Sequence, residues 1–147
     1  MSVLFDARVA AEILGSGTEF EDCFVAYDVA QVIRQETYFA FHELPIFERL
    51  LMEMGQTQES CLEKRAALMR MFTFVAPDGQ SVRKALRRSR SPAVVALSEC
   101  AALYSGCDLI VSLDSDAYKE TSVWALTPKE FRDKYTPEEY VYSFFEL

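Results

Sequence analysis

The sequence predicts one α/β domain over residues 1–147, with a small parallel sheet covered by helices on both faces. Short runs with continuous apolar centres, Ser2 to Phe5 and Asp108 to Ser112, read as strands buried on both sides. Helical stretches separate the strand candidates, the pattern of parallel strands joined by crossovers. The middle of the chain is almost wholly helical, which keeps the sheet small. Half of the 147 residues are hydrophobic, enough for a sizeable core in one domain.

The elements follow in order. Ser2 to Phe5 is a short strand ending at Asp6. Residues 7–14 (ARVAAEIL) form a helix closed by Gly15. Cys23-Phe24-Val25 is a candidate short strand, and Asp28 suits the N-cap of a helix running to about His42. Helical stretches 45–55 and 58–70 come next, then a strand candidate from Phe72 to Ala76. Residues 79–90 and 92–104 are helical, split by Pro92 as a first-turn residue. Asp108 to Ser112 and Ser122 to Leu126 are the last strands, and Pro128 starts the last helix. Gly15-Ser16-Gly17, Pro77-Asp78-Gly79, Ser91-Pro92 and Thr136-Pro137 are turn signals. There is no internal repeat, low-complexity tract or linker.

Composition narrows the function classes. The mean hydropathy is +0.00 and the apolar runs are only a few residues long, so no membrane span is expected. Asp6 follows just five residues, so no signal peptide is expected and the expected location is cytoplasmic. Cys23, Cys61, Cys100 and Cys107 form no CxxC pair and have one histidine, His42, to join them. Reduced thiols are the expectation, rather than a zinc site. The net charge of −8 opposes a nucleic-acid coat protein, because phosphate is repelled. It leaves a nuclease open, since carboxylates that hold Mg²⁺ or Mn²⁺ make a metal-free enzyme acidic. A single histidine excludes a two-histidine ribonuclease mechanism. No GxSxG elbow, phosphate-binding glycine loop or dinucleotide loop is present. A dehalogenase-type phosphatase would need an acid at position 8, which is Arg8.

Ligands of parallel α/β sheets sit beyond the carboxyl ends of the strands. That rule singles out Asp6, which ends the first strand, and Asp114, two residues past the strand 108–112, with Asp116 beside it. Glu36 is the third candidate. On the expected helix the stripe Val29, Val32, Ile33 continues to position 36, where a carboxylate is costly without a cation or donors. Each residue also has an ordinary alternative. Asp6 can cap the helix that starts at Ala7, Asp114 and Asp116 can be turn residues, and Glu36 can reach water. Brought together, the acids make an oxygen-rich site suited to Mg²⁺ or Mn²⁺ and to phosphodiester hydrolysis.

These residues resemble the PIN domain, a metal-dependent nuclease fold. Val3-Leu4-Phe5-Asp6 resembles its opening, a hydrophobic strand ending in an acid before a helix. The segment AALYSGCDLIVSLDSDAYKETSVWALTPKEF, from Ala101 to Phe131, is similar to its ending. Ser112-Leu113-Asp114 matches the Ser/Thr-x-Asp motif, and Leu126-Thr127-Pro128-Lys129-Glu130-Phe131 the final helix start. The likeness covers the first 40 residues loosely and the last 60 well. It implies a three-layer α/β/α sandwich with a five-stranded parallel sheet, Mg²⁺ or Mn²⁺ as cofactor, and RNA as substrate. It also implies Asp6, Glu36 and Asp114 as catalytic metal ligands, Asp116 as an auxiliary ligand and Ser112 as a residue that orients the site. A ribonuclease toxin with an antitoxin protein partner, or a processing enzyme, is the implied role, and a homodimer the implied assembly.

One departure bears on activity. PIN domains carry a further acid at the start of the helix before the Ser/Thr-x-Asp strand, where this chain has Pro92-Ala93-Val94-Val95. Glu99 is the sole carboxylate on that helix, and its two-turn displacement makes it a structural residue in expectation. The rival reading is therefore a catalytically silent PIN-like module that binds RNA or a protein. Arg83, Lys84, Arg87, Arg88 and Arg90 supply five of the fifteen Lys and Arg within one short run. They read equally as a phosphate-contacting edge or as a solvated face. The tail aromatics Tyr135, Tyr140, Tyr142, Phe144 and Phe145 are expected to pack on the core or on a partner subunit.

Overall fold

A computed structural model describes residues 1–141. Within them the chain forms an α/β sandwich around a five-stranded, wholly parallel sheet. The strands are β1 (Ser2–Phe5), β2 (Glu36–Ala40), β3 (Thr73–Val75), β4 (Leu109–Val111) and β5 (Trp124–Leu126), in spatial order β3-β2-β1-β4-β5. The helices are α1 (Ala7–Gly15), α2 (Phe20–Val32), α3 (Leu44–Glu53), α4 (Gln58–Met71), α5 (Gly79–Arg88), α6 (Ala93–Ser105) and α7 (Pro128–Tyr135).

Strand alternation divides the core. Val3 and Phe5 of β1, Phe39 of β2, and Leu109 and Val111 of β4 face α1, α2, α3, α4 and α7. Leu4, Ala40, Val75 and Ile110 face the other way, where Val95, Ala101 and Ala102 of α6 meet them. Both faces being covered is why β1 and β4 read as continuous apolar runs. Phe5, Tyr27, Phe39 and Phe72 form a ring cluster on the first face, with centroids 5.2–6.2 Å apart. All four cysteines are buried free thiols. Among the described residues no helix is long and apolar enough to cross a membrane.

The second quarter of the chain differs from expectation. Cys23-Phe24-Val25 is not a strand but lies inside α2, and Asp28 is a mid-helix residue whose carboxylate accepts from the Tyr140 hydroxyl. The helix expected to reach His42 stops at Val32, where Arg34 takes a left-handed backbone (φ 59°) and turns the chain into β2. Two caps also shift. The left-handed residue closing α1 is Ser16 (φ 51°) rather than Gly15, and Pro92 is the N-cap of α6 rather than its first-turn residue. Elsewhere the expected elements stand, including α7, where Thr127 and Glu130 form a capping box. Tyr135 and Tyr140 pack on the core, whereas Tyr142, Phe144 and Phe145 lie outside the described residues.

Candidate functional site at the strand ends

The chain order β1, β2, β3 runs outward on one side of the sheet, and β4 and β5 lie on the other. The switch point is therefore between β1 and β4, where the crevice of a doubly wound sheet forms. Asp6 is the first residue past β1, and its backbone N–H donates to the Val111 carbonyl at 3.2 Å, which ties it to the end of β4. Its Oδ1 accepts from the Val9 N–H at 3.0 Å, so Asp6 also N-caps α1. The capping alternative for Asp6 therefore holds, at the strand end where a site residue was expected.

Glu43 is the acid that meets Asp6. It ends a 3₁₀ turn (Phe41–Glu43) directly after β2, the strand beside β1. Its side chain is 4% exposed, and Oε2 has no hydrogen-bond partner. Burial holds the Glu43 carboxyl well above the usual range, and the charge of Asp6 pushes it further. The Ala7 N–H works in the opposite direction. Burial likewise raises Asp6, opposed by the Ser112 hydroxyl, the Val9 N–H and the positive charge of Arg8. Burial opposes ionisation of both carboxyls, and the charge of Asp6 adds to the effect on Glu43, a cost that a proton or a cation would relieve.

Ser112 is 1% exposed and links the pair to the β4 loop. Its hydroxyl bonds the Asp6 carboxylate, while its Oγ accepts from the Asp114 N–H at 3.0 Å. Asp114 is exposed at the rim and opens a 3₁₀ turn (Ser115–Tyr118), its carbonyl accepting from the Ala117 N–H at 3.1 Å. Asp116 is exposed and pairs with Lys119 at 3.5 Å.

Glu36 does not belong to this site. It is the first residue of β2, paired in parallel register with Ser2 at the opposite end of the sheet. Four residues of strand separate that level from Asp6, roughly 13 Å. Its Oε2 accepts from the Tyr38 hydroxyl at 2.5 Å. Glu99 accepts from the Ser122 N–H at 2.6 Å and from the Ser122 hydroxyl at 3.2 Å. That fixes the loop before β5 and agrees with the structural role expected of it.

A neutral network stands beside the carboxylates. Tyr118 is 5% exposed, and its pKa is pushed up first by burial and then by Asp6 and Glu43. Ser98 of α6 is fully buried and bonds the Tyr118 phenol and, at 3.2 Å, His42 Nε2. That nitrogen also lies 3.3 Å from the Val94 carbonyl. Burial lowers the His42 pKa, opposed by the Val94 carbonyl. Sequence reasoning missed Glu43, Tyr118, Ser98 and His42. Only Glu43 had a legible signal: it follows the β-forming run Thr37-Tyr38-Phe39 as Asp6 follows its own strand.

Among the described residues no three His, Cys, Asp or Glu side chains are grouped to ligate one ion. The donor set is two carboxylates, Asp6 and Glu43, with the Ser112 hydroxyl on one of them. That set fits a hydrated Mg²⁺ or Mn²⁺, because such ions keep several waters and need one or two protein carboxylates. The unpartnered Glu43 Oε2 is the feature such an ion would satisfy. No family model matches the chain, and no curated protein matches it. The resemblance to PIN domains therefore rests on the sequence pattern.

Proposed function

We propose that the chain is a metal-dependent hydrolase of RNA phosphodiester bonds, with Asp6 and Glu43 as its central acids. The observation that carries this reading is the buried, mutually repelling carboxylate pair at the sheet's switch point, with Glu43 Oε2 unsatisfied. Burying two like charges costs stability and is a mark of a functional site. The all-oxygen donor set favours Mg²⁺ or Mn²⁺ over zinc. When bound, such an ion activates water and neutralises charge on the phosphoryl oxygens. The protein's part is placement. Ser112 and the Val9 N–H hold the Asp6 carboxylate, and the Ala7 N–H faces Glu43. Tyr118, bonded by Ser98, is buried beside them. Asp114 adds charge at the rim, and Asp116 is a lesser contributor because Lys119 engages it.

The rival is a silent RNA-binding module. It is favoured by the absence, among the described residues, of a third ligand beside the pair. Incubation of labelled single-stranded RNA with the protein and Mn²⁺ separates the two. The hydrolase reading predicts cleavage by wild type and its loss in Asp6→Asn and Glu43→Gln. RNA binding without cleavage at any Mn²⁺ concentration gives the silent module. The toxin role, the antitoxin partner and the homodimer belong to the same proposal and rest on the resemblance alone.

A further inference from the structure

We infer that a trough between α5 and α6 is a binding track for single-stranded RNA that ends at the rim of the Asp6–Glu43 site. For its substrate class the inference rests on the hydrolase reading; its geometry stands independently. Helix α5 buries none of its residues and carries Arg83, Lys84, Arg87 and Arg88, with Arg90 just beyond. Among the described residues none of these five forms an ion pair; the pairs that exist use Arg49, Arg65, Lys119, Lys129 and Arg132. The whole chain carries −8, so without these five cations it would carry −13 (−8 − 5). Here five of the fifteen Lys and Arg cluster on one exposed helix and the turn after it, a footprint suited to a polyanion.

Three hollows run along it and share walls. The first, about 440 Å³, has Lys84 and Arg88 on one side and Leu103 and Tyr104 of α6 on the other. The second, about 630 Å³, takes Arg88 again, adds Arg90 and Pro92, and reaches Ala117. The third, about 530 Å³, joins Lys84 to Arg83 and Arg87 at the far end. Lys84 thus borders the first and third hollows, and Arg88 the first and second. Ala117 N–H bonds the Asp114 carbonyl, so the second hollow reaches the turn that follows the rim acid Asp114. Two acids line it, Glu99 and Glu120, and Glu99 is already engaged by Ser122.

The two walls differ, and the difference selects the ligand. The α5 wall is cationic and suits phosphates. The α6 wall offers Leu103 and Tyr104, 58% and 53% exposed, large apolar faces toward the same hollow. A single strand presents phosphates on one side and unstacked base faces on the other. A duplex keeps its bases stacked inside, and an acidic peptide brings no ring face to Tyr104.

The test is fluorescence anisotropy of a labelled single-stranded oligoribonucleotide with the full chain in EDTA, where cleavage cannot interfere. Lys84→Ala/Arg88→Ala should weaken binding at least about ten-fold and reduce the salt slope by about 1.4, or 0.7 per cation removed. Tyr104→Ala should weaken binding roughly ten-fold with the salt slope unchanged, the signature of lost stacking. Arg70→Ala, on the opposite face, should change nothing. Wild-type affinity in both trough variants overturns the track. So does equal or tighter binding of duplex RNA, single-stranded DNA, polyglutamate or inorganic polyphosphate. The hydrolase reading fails separately: absent cleavage with trough-dependent binding removes the chemistry and keeps the track, and cleavage with trough-independent binding does the reverse.

Discussion

The charge of Asp6 opposes ionisation of Glu43, although the two acids arrive from adjacent strands and are 37 positions apart (43 − 6). Each is buried, and burial is the larger force on both. The pair is therefore a stored electrostatic cost that a proton or a cation relieves.

That cost sets a pH dependence. A carboxyl whose pKa is raised on folding binds protons more tightly in the native state. Its favourable contribution is full below the unfolded value, 4.5 for Glu43, and is lost as pH rises through the raised native value. The metal-free protein should lose stability over that interval. Glu43→Gln should flatten this part of the curve and raise the melting temperature at neutral pH. Thermal melts in EDTA from pH 4 upward check it; an unchanged curve in Glu43→Gln would mean that the acid is not strained.

Asp6 has two duties that substitution separates. Asn keeps the cap on the Val9 N–H and removes the charge, whereas Ala removes both. Asp6→Ala should be less stable than Asp6→Asn by about 1 kcal/mol in urea denaturation. Equal stabilities would show that the cap contributes nothing.

Ser98 is the joint between His42 and Tyr118. Ser98→Ala leaves the buried Tyr118 hydroxyl without that partner. A loss of about 1–3 kcal/mol is expected, the cost of an unsatisfied buried polar group. Stability within error of wild type would show that the phenol finds another acceptor or donor.

The extent to which all this was legible follows physical lines. β1 and β4 are buried on both faces, so Val3-Leu4-Phe5 and Leu109-Ile110-Val111 announce themselves as continuous apolar runs. Asp6, Ser112 and Asp114 were legible because strand ends are where ligands bind. β2 was not. The apolar spacing of Val29, Val32 and Ile33 continues a helical stripe, and the break falls on Arg34 in a left-handed turn with neither Gly nor Pro to signal it. Reading a helix through that point to about His42 turned Glu36 into an inward residue and left Glu43 in the short gap before the stretch 45–55. Thr37-Tyr38-Phe39, with its β-branched and aromatic side chains, was the competing signal. Ser98 and Tyr118 carry no local signature, because only the packing of α6 on the sheet brings them together.

Calorimetric titration of Mn²⁺ into the metal-free protein at neutral pH tests the central claim, that Glu43 and not Glu36 completes the site with Asp6. Wild type and Glu36→Gln should bind one ion with equal affinity. Glu43→Gln should bind more than roughly ten-fold more weakly, the loss that even an outer partner of a metal site produces. Wild-type affinity in Glu43→Gln, or a loss confined to Glu36→Gln, would contradict the account.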